Sequence, residues 1–424
     1  MQDPTQYCLD RLSGQGFDKS QVRYSIDERD ELQAEHGKTS LFRTVANTSL
    51  VLTGIHQHKR ATVTLNSSDQ AEIDRAVDAL WLSAQASMAD EANDIAGQQA
   101  PDTFSEGLMT PDRDAMFGRL EEFLAYSQEQ YPTVLIGLAG VSHLRKFRID
   151  TNSNGVRFES STGCYQTSAH FSAKDGLDVS SMNGSYALTD DLDTPIAELA
   201  TFDRLLRGAA EQVRTQKVEH KFTGDLVITP DCVGSFFGFL INSISRGPMV
   251  AGTSIYKDKL GETVASDRLN LRSMPRSKPG GYQVTEDCFP AQDLTVVEDG
   301  VLRSYLLDLY AANKTGLERS GSTGGWYSVD PGTTSLHDLI KHVDQGILIG
   351  RFSGGQPSSS GDFSGIAKNS YYIENGDIKH PISETMVSGN MANALLDICD
   401  LSVERADFGI GAFPWVRTSG VTVS

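Results

Sequence analysis

Leu50-Val51-Leu52-Thr53-Gly54-Ile55 and Ala61-Thr62-Val63-Thr64-Leu65 are two apolar-rich runs joined by the polar stretch His56 to Arg60, and a helical pattern follows at once. The two runs read as neighbouring strands of a meander. Upstream, Gln21-Val22-Arg23-Tyr24-Ser25-Ile26 alternates polar and apolar residues as a half-buried strand does. Downstream, Ser67 and Gln70 have capping-box spacing, and Ile73, Val77, Leu80 and Ala84 fall on one helical face. A strand meander closed by an amphipathic helix points to an α+β chain.

The same unit is expected again between 133 and 215. Strands are read at Val134 to Leu138, Leu144 to Ile149, Gly155 to Glu159, Tyr165 to Ser172 and near Ser180 to Leu188, with Asn152 to Gly155 as a turn. A short helix through Tyr7 to Leu12 precedes the first unit, and a helix from Asp112 to Gln130, carrying Met116, Leu120, Phe123 and Leu124, separates the two. The second unit closes with a helix capped by Thr194, with Pro195 at its first position, burying Leu199, Phe202, Leu206 and Val213. Residues 89–110 lose periodicity and read as a surface excursion or mobile linker. After Val218 the chain is richer in glycine and hairpins. Asp299-Gly300 and Asn375-Gly376 sit between alternating strands as type I′ turns prefer. Asp231 is placed to cap a helix carrying Val233, Phe236, Phe237, Leu240 and Ile244. The expected organisation is an N-terminal α+β domain, 1–217, and a Gly-rich, mostly β domain, 218–424.

Composition narrows the function. A net charge of −19 over 424 residues argues against nucleic acid, which needs a basic surface to release counterions, and against anionic membrane surfaces. No run approaches the roughly 18 apolar residues of a membrane span, and Met1-Gln2-Asp3-Pro4 has no signal-peptide character. The five cysteines, Cys8, Cys164, Cys232, Cys288 and Cys399, form no CxxC and read as reduced thiols of a cytoplasmic protein.

The chemistry-bearing residues do not assemble. HExxH, GxSxG and complete phosphate-loop motifs are absent; the nearest mimic, Gly321-Ser322-Thr323-Gly324-Gly325-Trp326, lacks the lysine and reads as a glycine turn. His56 and His58 sit at a hairpin tip without a third ligand. His337 and His342, five apart on a helix, point about 140° apart. Cys164 and His170 share a strand face but lack an orienting group for a nucleophile pair.

Gly252-Thr253-Ser254-Ile255-Tyr256-Lys257-Asp258-Lys259-Leu260-Gly261 is followed by Val264-Ala265-Ser266, then by Gly361-Asp362-Phe363-Ser364-Gly365-Ile366-Ala367, Tyr372 to Gly376, Pro381-Ile382-Ser383-Glu384 and Val387-Ser388-Gly389-Asn390. This order and spacing resembles the TldD/PmbA family of metalloproteases, in particular its PmbA or TldE branch. In that family, TldD-like chains carry HExxxH on a helix, two histidines and a later cysteine holding zinc while the Glu is general base. Counting back from Gly252 without gaps, the motif falls on Phe237-Gly238-Phe239-Leu240-Ile241-Asn242. Phe237 and Asn242 replace the histidines and Gly238 the glutamate, and Phe352 to Ser364 offers no cysteine.

The resemblance therefore implies a subunit with no catalytic or metal residues of its own. It would pair with a TldD-like, HExxxH-bearing chain that supplies zinc, the pair trimming unfolded peptides in an enclosed cavity. Gly252, Thr253, Ser254, Tyr256, Gly261, Gly361, Asp362, Phe363, Ser364 and Gly365 would shape that cavity or the interface. The alternative expectation is a homo-oligomer, such as a homodimer, that binds extended peptides without cutting them, through strand edges near the Asn-Gly hairpin.

Overall fold

The computed structural model describes residues 3–424. The N-terminal part runs α1 (Thr5–Gln15), β1 (Lys19–Glu35), β2 (Lys38–His56), β3 (Lys59–Leu65), α2 (Gln70–Ala86), β4 (Asp102–Glu106), α3 (Arg113–Gln130), β5 (Val134–Asn152), β6 (Arg157–Asp175), β7 (Asp178–Val179), β8 (Asn183–Thr189) and α4 (Phe202–Glu211). The strands form one sheet in the order β3-β2-β1-β5-β6-β4, with β7 and β8 also on β6. The two meanders thus meet through their first strands, β1 against β5, antiparallel from Gln21↔Asn152 to Glu35↔Leu138. Even-numbered residues of β1 share a face. Val22 and Tyr24 pack with α1 and α2 residues such as Leu12, Ile73 and Leu80, and Leu32 and Ala34 pack with Met116, Phe123 and Phe202 of α3 and α4.

Several boundaries differ from the sequence reading. The cap of α2 is Asp69, whose side chain accepts from Glu72 N at 3.1 Å, rather than Ser67. β5 and β6 are each continuous where two strands were expected. The small polar run Ser160 to Cys164, which reads as a break, pairs with β5 throughout, and Gly163 is needed because Leu108 crosses where its Cβ would lie (1.9 Å from the carbonyl oxygen). Residues 89–110 do not form a linker. β4 adds in parallel to β6, Ile95 and Ala96 are buried, and Asn152 and Asn154 both donate to Ala96 O at 2.9 Å. The helix expected from Thr194 begins only at Phe202, as residues 195–201 form successive turns. Side chains of α3 satisfy that backbone instead: Arg119 donates to the carbonyls of Leu192 and Thr194, and Glu122 accepts from Ile196 N. An unpaired backbone group there would be costly, and these bonds replace those of a helical turn.

The C-terminal part opens with β9 (Phe222–Ile228), α5 (Pro230–Ser243) and α6 (Arg246–Ala251). Its thirteen-stranded sheet is mostly antiparallel, and the last strand, Gly411–Val423, lies inside it between 327–329 and β9. Asp299, Gly300, Asn375 and Gly376 all have positive φ, as type I′ turns require. α5 packs Val233, Phe236, Phe237 and Leu240 into the largest core. It starts after Thr229 with Pro230 at its first position; Asp231, expected as the cap, instead lies inside the first turn.

The two parts are tied together. Arg148 donates to Thr285 O, Gln21 to Glu286 O and Gln212 to Ser370 O. Asp231 accepts from Thr201 Oγ1 at 2.6 Å and pairs with Arg204, joining α4 to α5. No helix of the described chain is long and apolar enough to cross a membrane.

Candidate functional site

α5 is amphipathic in an unusual way: one face is aromatic and the other nearly bare. Pro230, Gly234, Gly238 and Asn242 recur every four residues and so line one side. A Cβ added at Gly234 or Gly238 would meet nothing within 4 Å, so the face is open. Over its C-terminal half lies a cleft of about 560 Å³, bounded by Gly238, Asn242 and Ser243, by Thr253 and Ser254, and across from them by Gln356 to Ser359.

The residues singled out from the sequence divide into three groups. Gly238, Asn242, Thr253 and Ser254 meet at the cleft. A second group supports it. Gly252 (φ 67°) caps α6, and Gly361 (φ 96°) lies where a Cβ would come 3.2 Å from both Asn390 Oδ1 and Phe239 Cζ. Tyr256 is buried with its ring 6.2 Å from that of Phe239, and burial pushes its phenol up to about 12. Asp362 accepts from Asn390 Nδ2 (3.0 Å) and Ser360 Oγ (2.8 Å), bonds that hold its carboxyl below the usual range. It fastens the 358–362 wall rather than serving as an acid.

The third group lies elsewhere. Phe237 is 2% exposed and faces Met391 and Leu395 across α5's buried side. An ungapped count therefore places the first ligand position away from the cleft. Phe363 is wedged between Phe236 and Phe352, Gly365 makes room for the Phe352 ring, Ser364 is exposed on the strand Asp362–Lys368, and Gly261 is a turn residue with φ 81°. Sequence reasoning missed the opposite wall, Gln356 to Ser359, although the Gly, Ser and Pro composition of 354–361 marks it as a loop.

The cleft's polar groups are hydroxyls and amides, set beside the apolar Phe239, Pro248 and Pro357. No acid, histidine or cysteine lines it, and among the described residues no three His, Cys, Asp or Glu side chains converge. A zinc ion coordinated as in HExxxH does not fit here: Phe237 and Gly238 have no donor atoms, and an Asn242 amide is a poor substitute for imidazole. The thiols are no better placed. Burial pushes Cys8 and Cys232 up to about 12 and Cys164 up to about 11. His170 is exposed while Cys164 is buried, so that pair does not form. His56 rests against Trp81 at the hairpin tip.

Residues 222–424 match the family model described as the PmbA/TldA metallopeptidase C-terminal domain. This half of the chain belongs to the PmbA/TldD family. Over 411 residues the chain is 24% identical to metalloprotease PmbA of Escherichia coli O157:H7, covering 92% of this chain and 88% of the relative. The PmbA homologue of Haemophilus influenzae is 24% identical over 286 residues, 62% of this chain and 63% of that one. The crystal structure of TldE from Thermococcus kodakarensis superposes with a TM-score of 0.82 over 100% of both chains at 17% identity. A Bacteroides thetaiotaomicron structure gives 0.84 at 20% identity, over 99% of this chain and 98% of its own. The family-model match thus lies in the C-terminal half, while the likeness of fold to these solved structures extends over the whole length.

Proposed function

We propose that the chain is the non-catalytic, TldE-like subunit of a cytoplasmic heteromeric zinc metalloprotease that trims unfolded peptides. A TldD-like partner supplies the zinc and the general base. The observation that supports this is the donor set of the cleft: its polar groups are peptide-compatible hydroxyls and amides, and no acid, histidine or cysteine is among its lining residues. Glycine cannot deprotonate a water, so hydrolysis needs a second chain. Isolated, largely buried thiols agree with a reducing compartment.

The test is co-purification with a TldD-like chain from the same source, followed by size-exclusion chromatography with light scattering. A stable heteromer burying well over about 1,000 Å² is expected; two species that ignore each other at micromolar concentration would contradict it. The second reading, a peptide-binding homo-oligomer, draws on the strand Asp377–Ile382, which ends the larger sheet beside the Asn375-Gly376 turn. Pro381 removes one donor from that edge, which weakens it as a site for strand addition.

A further inference from the structure

The bare face of α5 does not end at the cleft. One turn toward the helix N-terminus, at Gly234, it borders a second cavity of about 510 Å³ between the two parts of the chain. Tyr186 of β8, Trp326, Phe408 and Phe413 line it, and the Tyr186 ring rests 6.3 Å from that of Phe408, which in turn meets Phe413. Trp326 closes the run Gly321 to Trp326, which had no role as a phosphate loop. Gly324, Gly325 and Trp326 have φ of 99°, 93° and 48° in succession. Left-handed backbone is strained for a bulky residue and persists where its surroundings hold it. Here Trp326 Nε1 donates to Pro279 O at 3.1 Å and the indole packs edge-on against Tyr282, so the ring is fixed.

The cavity's charge decides what it can take. Asp231 is the one charged residue in its wall, and both its oxygens are engaged, one by Thr201 and the other by Arg204. An aromatic cage around a free carboxylate would suit a cation; with the carboxylate already compensated, the walls suit a neutral aromatic or large apolar group. The spacing suits a peptide. Gly234 and Gly238 are about 6 Å apart along the helix, close to the roughly 6.6 Å between same-side residues of an extended chain.

We propose that this cavity is a subsite for an aromatic or large apolar side chain of an extended peptide lying along α5. The proposal rests on the reading of the polar cleft as a peptide site. Full burial of a phenylalanine ring is expected to favour it over serine by roughly ten-fold or more.

The test uses the full-length chain and two probes: a short acetylated Gly-Ser peptide carrying one phenylalanine, and the same peptide with serine in its place. Binding is followed by calorimetry. The Phe peptide should bind at least ten-fold tighter. Gly234→Leu, which projects into open space without backbone strain, should reduce its affinity to that of the Ser peptide. Gly238→Leu should weaken both. Tyr186→Ala, which removes a ring of the aromatic lining, should remove part of the preference. Equal affinity of the two peptides for the wild type, with Gly238→Leu still weakening both, would overturn the subsite and leave the cleft reading standing. A preference that survives both Gly234→Leu and Tyr186→Ala would also overturn it. Binding of neither peptide at millimolar concentration would remove both.

Discussion

The two sheets are held together by opposite kinds of pairing. In the N-terminal sheet the main strands are 17 to 19 residues long, and most neighbours follow each other in sequence. In the C-terminal sheet most strands are short, and the last strand of the chain pairs with the first, Val423 opposite Phe222. Local hairpins form at little loop-closure cost, whereas a sheet closed by its own C-terminus is assembled late and all together. The larger sheet also carries α5, with both the cleft and the aromatic cavity. The site therefore depends on the less local half of the molecule.

Deleting 411–424 should give the largest effect. That strand contacts β9 and the strands 327–329, 385–390 and 398–407. The C-terminal half should lose its cooperative transition and become protease-sensitive, while 1–217 resists digestion longer. An unchanged digestion pattern and melting curve would break the comparison.

Next in size is the clasp near the boundary between the sheets. Asp287 takes paired bonds from Arg319 (2.8 Å each) and one from Leu309 N. Burial alone would raise its carboxyl, but the Arg319 bonds and charge outweigh it and hold the group below the usual aspartate range. Its contribution is therefore present above the ordinary aspartate pKa, about 4, and lost as pH falls through the lower folded value. Asp287→Ala should cost roughly 3 kcal/mol at pH 7 by leaving the largely buried Arg319 charge without its carboxylate. Asp287→Asn should flatten the acid limb of stability against pH. An acid limb identical to wild type would contradict this.

Two hairpin glycines sharpen the contrast at smaller scale. Gly37 in the N-terminal sheet and Gly376 in the other have φ of 74° and 76°. A Cβ at Gly37 meets nothing within 4 Å, whereas at Gly376 it would lie 2.8 Å from Lys341 O. Gly37→Ala should cost about 1 kcal/mol and Gly376→Ala about 2 to 3, measured by urea denaturation. Equal costs would remove the packing difference.

The smallest effect has the opposite sign. Gly234→Ala and Gly238→Ala should each stabilise by about 0.5 to 1 kcal/mol, since alanine favours helix and no neighbour objects. Destabilisation would mean the bare face is packed against something.

This contrast explains what could be read from the sequence. Strands with one buried face announce themselves by alternation, so the meander around Leu52 and Val63 and the two Gly-containing turns were legible. The lengths of β5 and β6 were not, because Gly140 and the Ser160 to Cys164 run look like breaks; Gly140 is held opposite Gln33 of β1, and Ser160 to Thr162 lie beside β4. The late start of α4 depends on Arg119 and Glu122, which come from another helix. Of the residues singled out by the family-like order of motifs, Gly238, Asn242, Thr253 and Ser254 line the cleft. The direction of Phe237 and the convergence of Tyr186 with Trp326 and Phe408 follow from tertiary packing and leave no local signal.

The central claim is that this chain completes a protease without cutting peptide bonds itself. The most direct measurement is hydrolysis of an unstructured fluorogenic peptide by this chain alone, by a TldD-like chain alone, and by the two mixed. Hydrolysis that appears or rises steeply only in the mixture and is abolished by a chelator is expected. Turnover by this chain alone, or a mixture no more active than the TldD-like chain by itself, would contradict it.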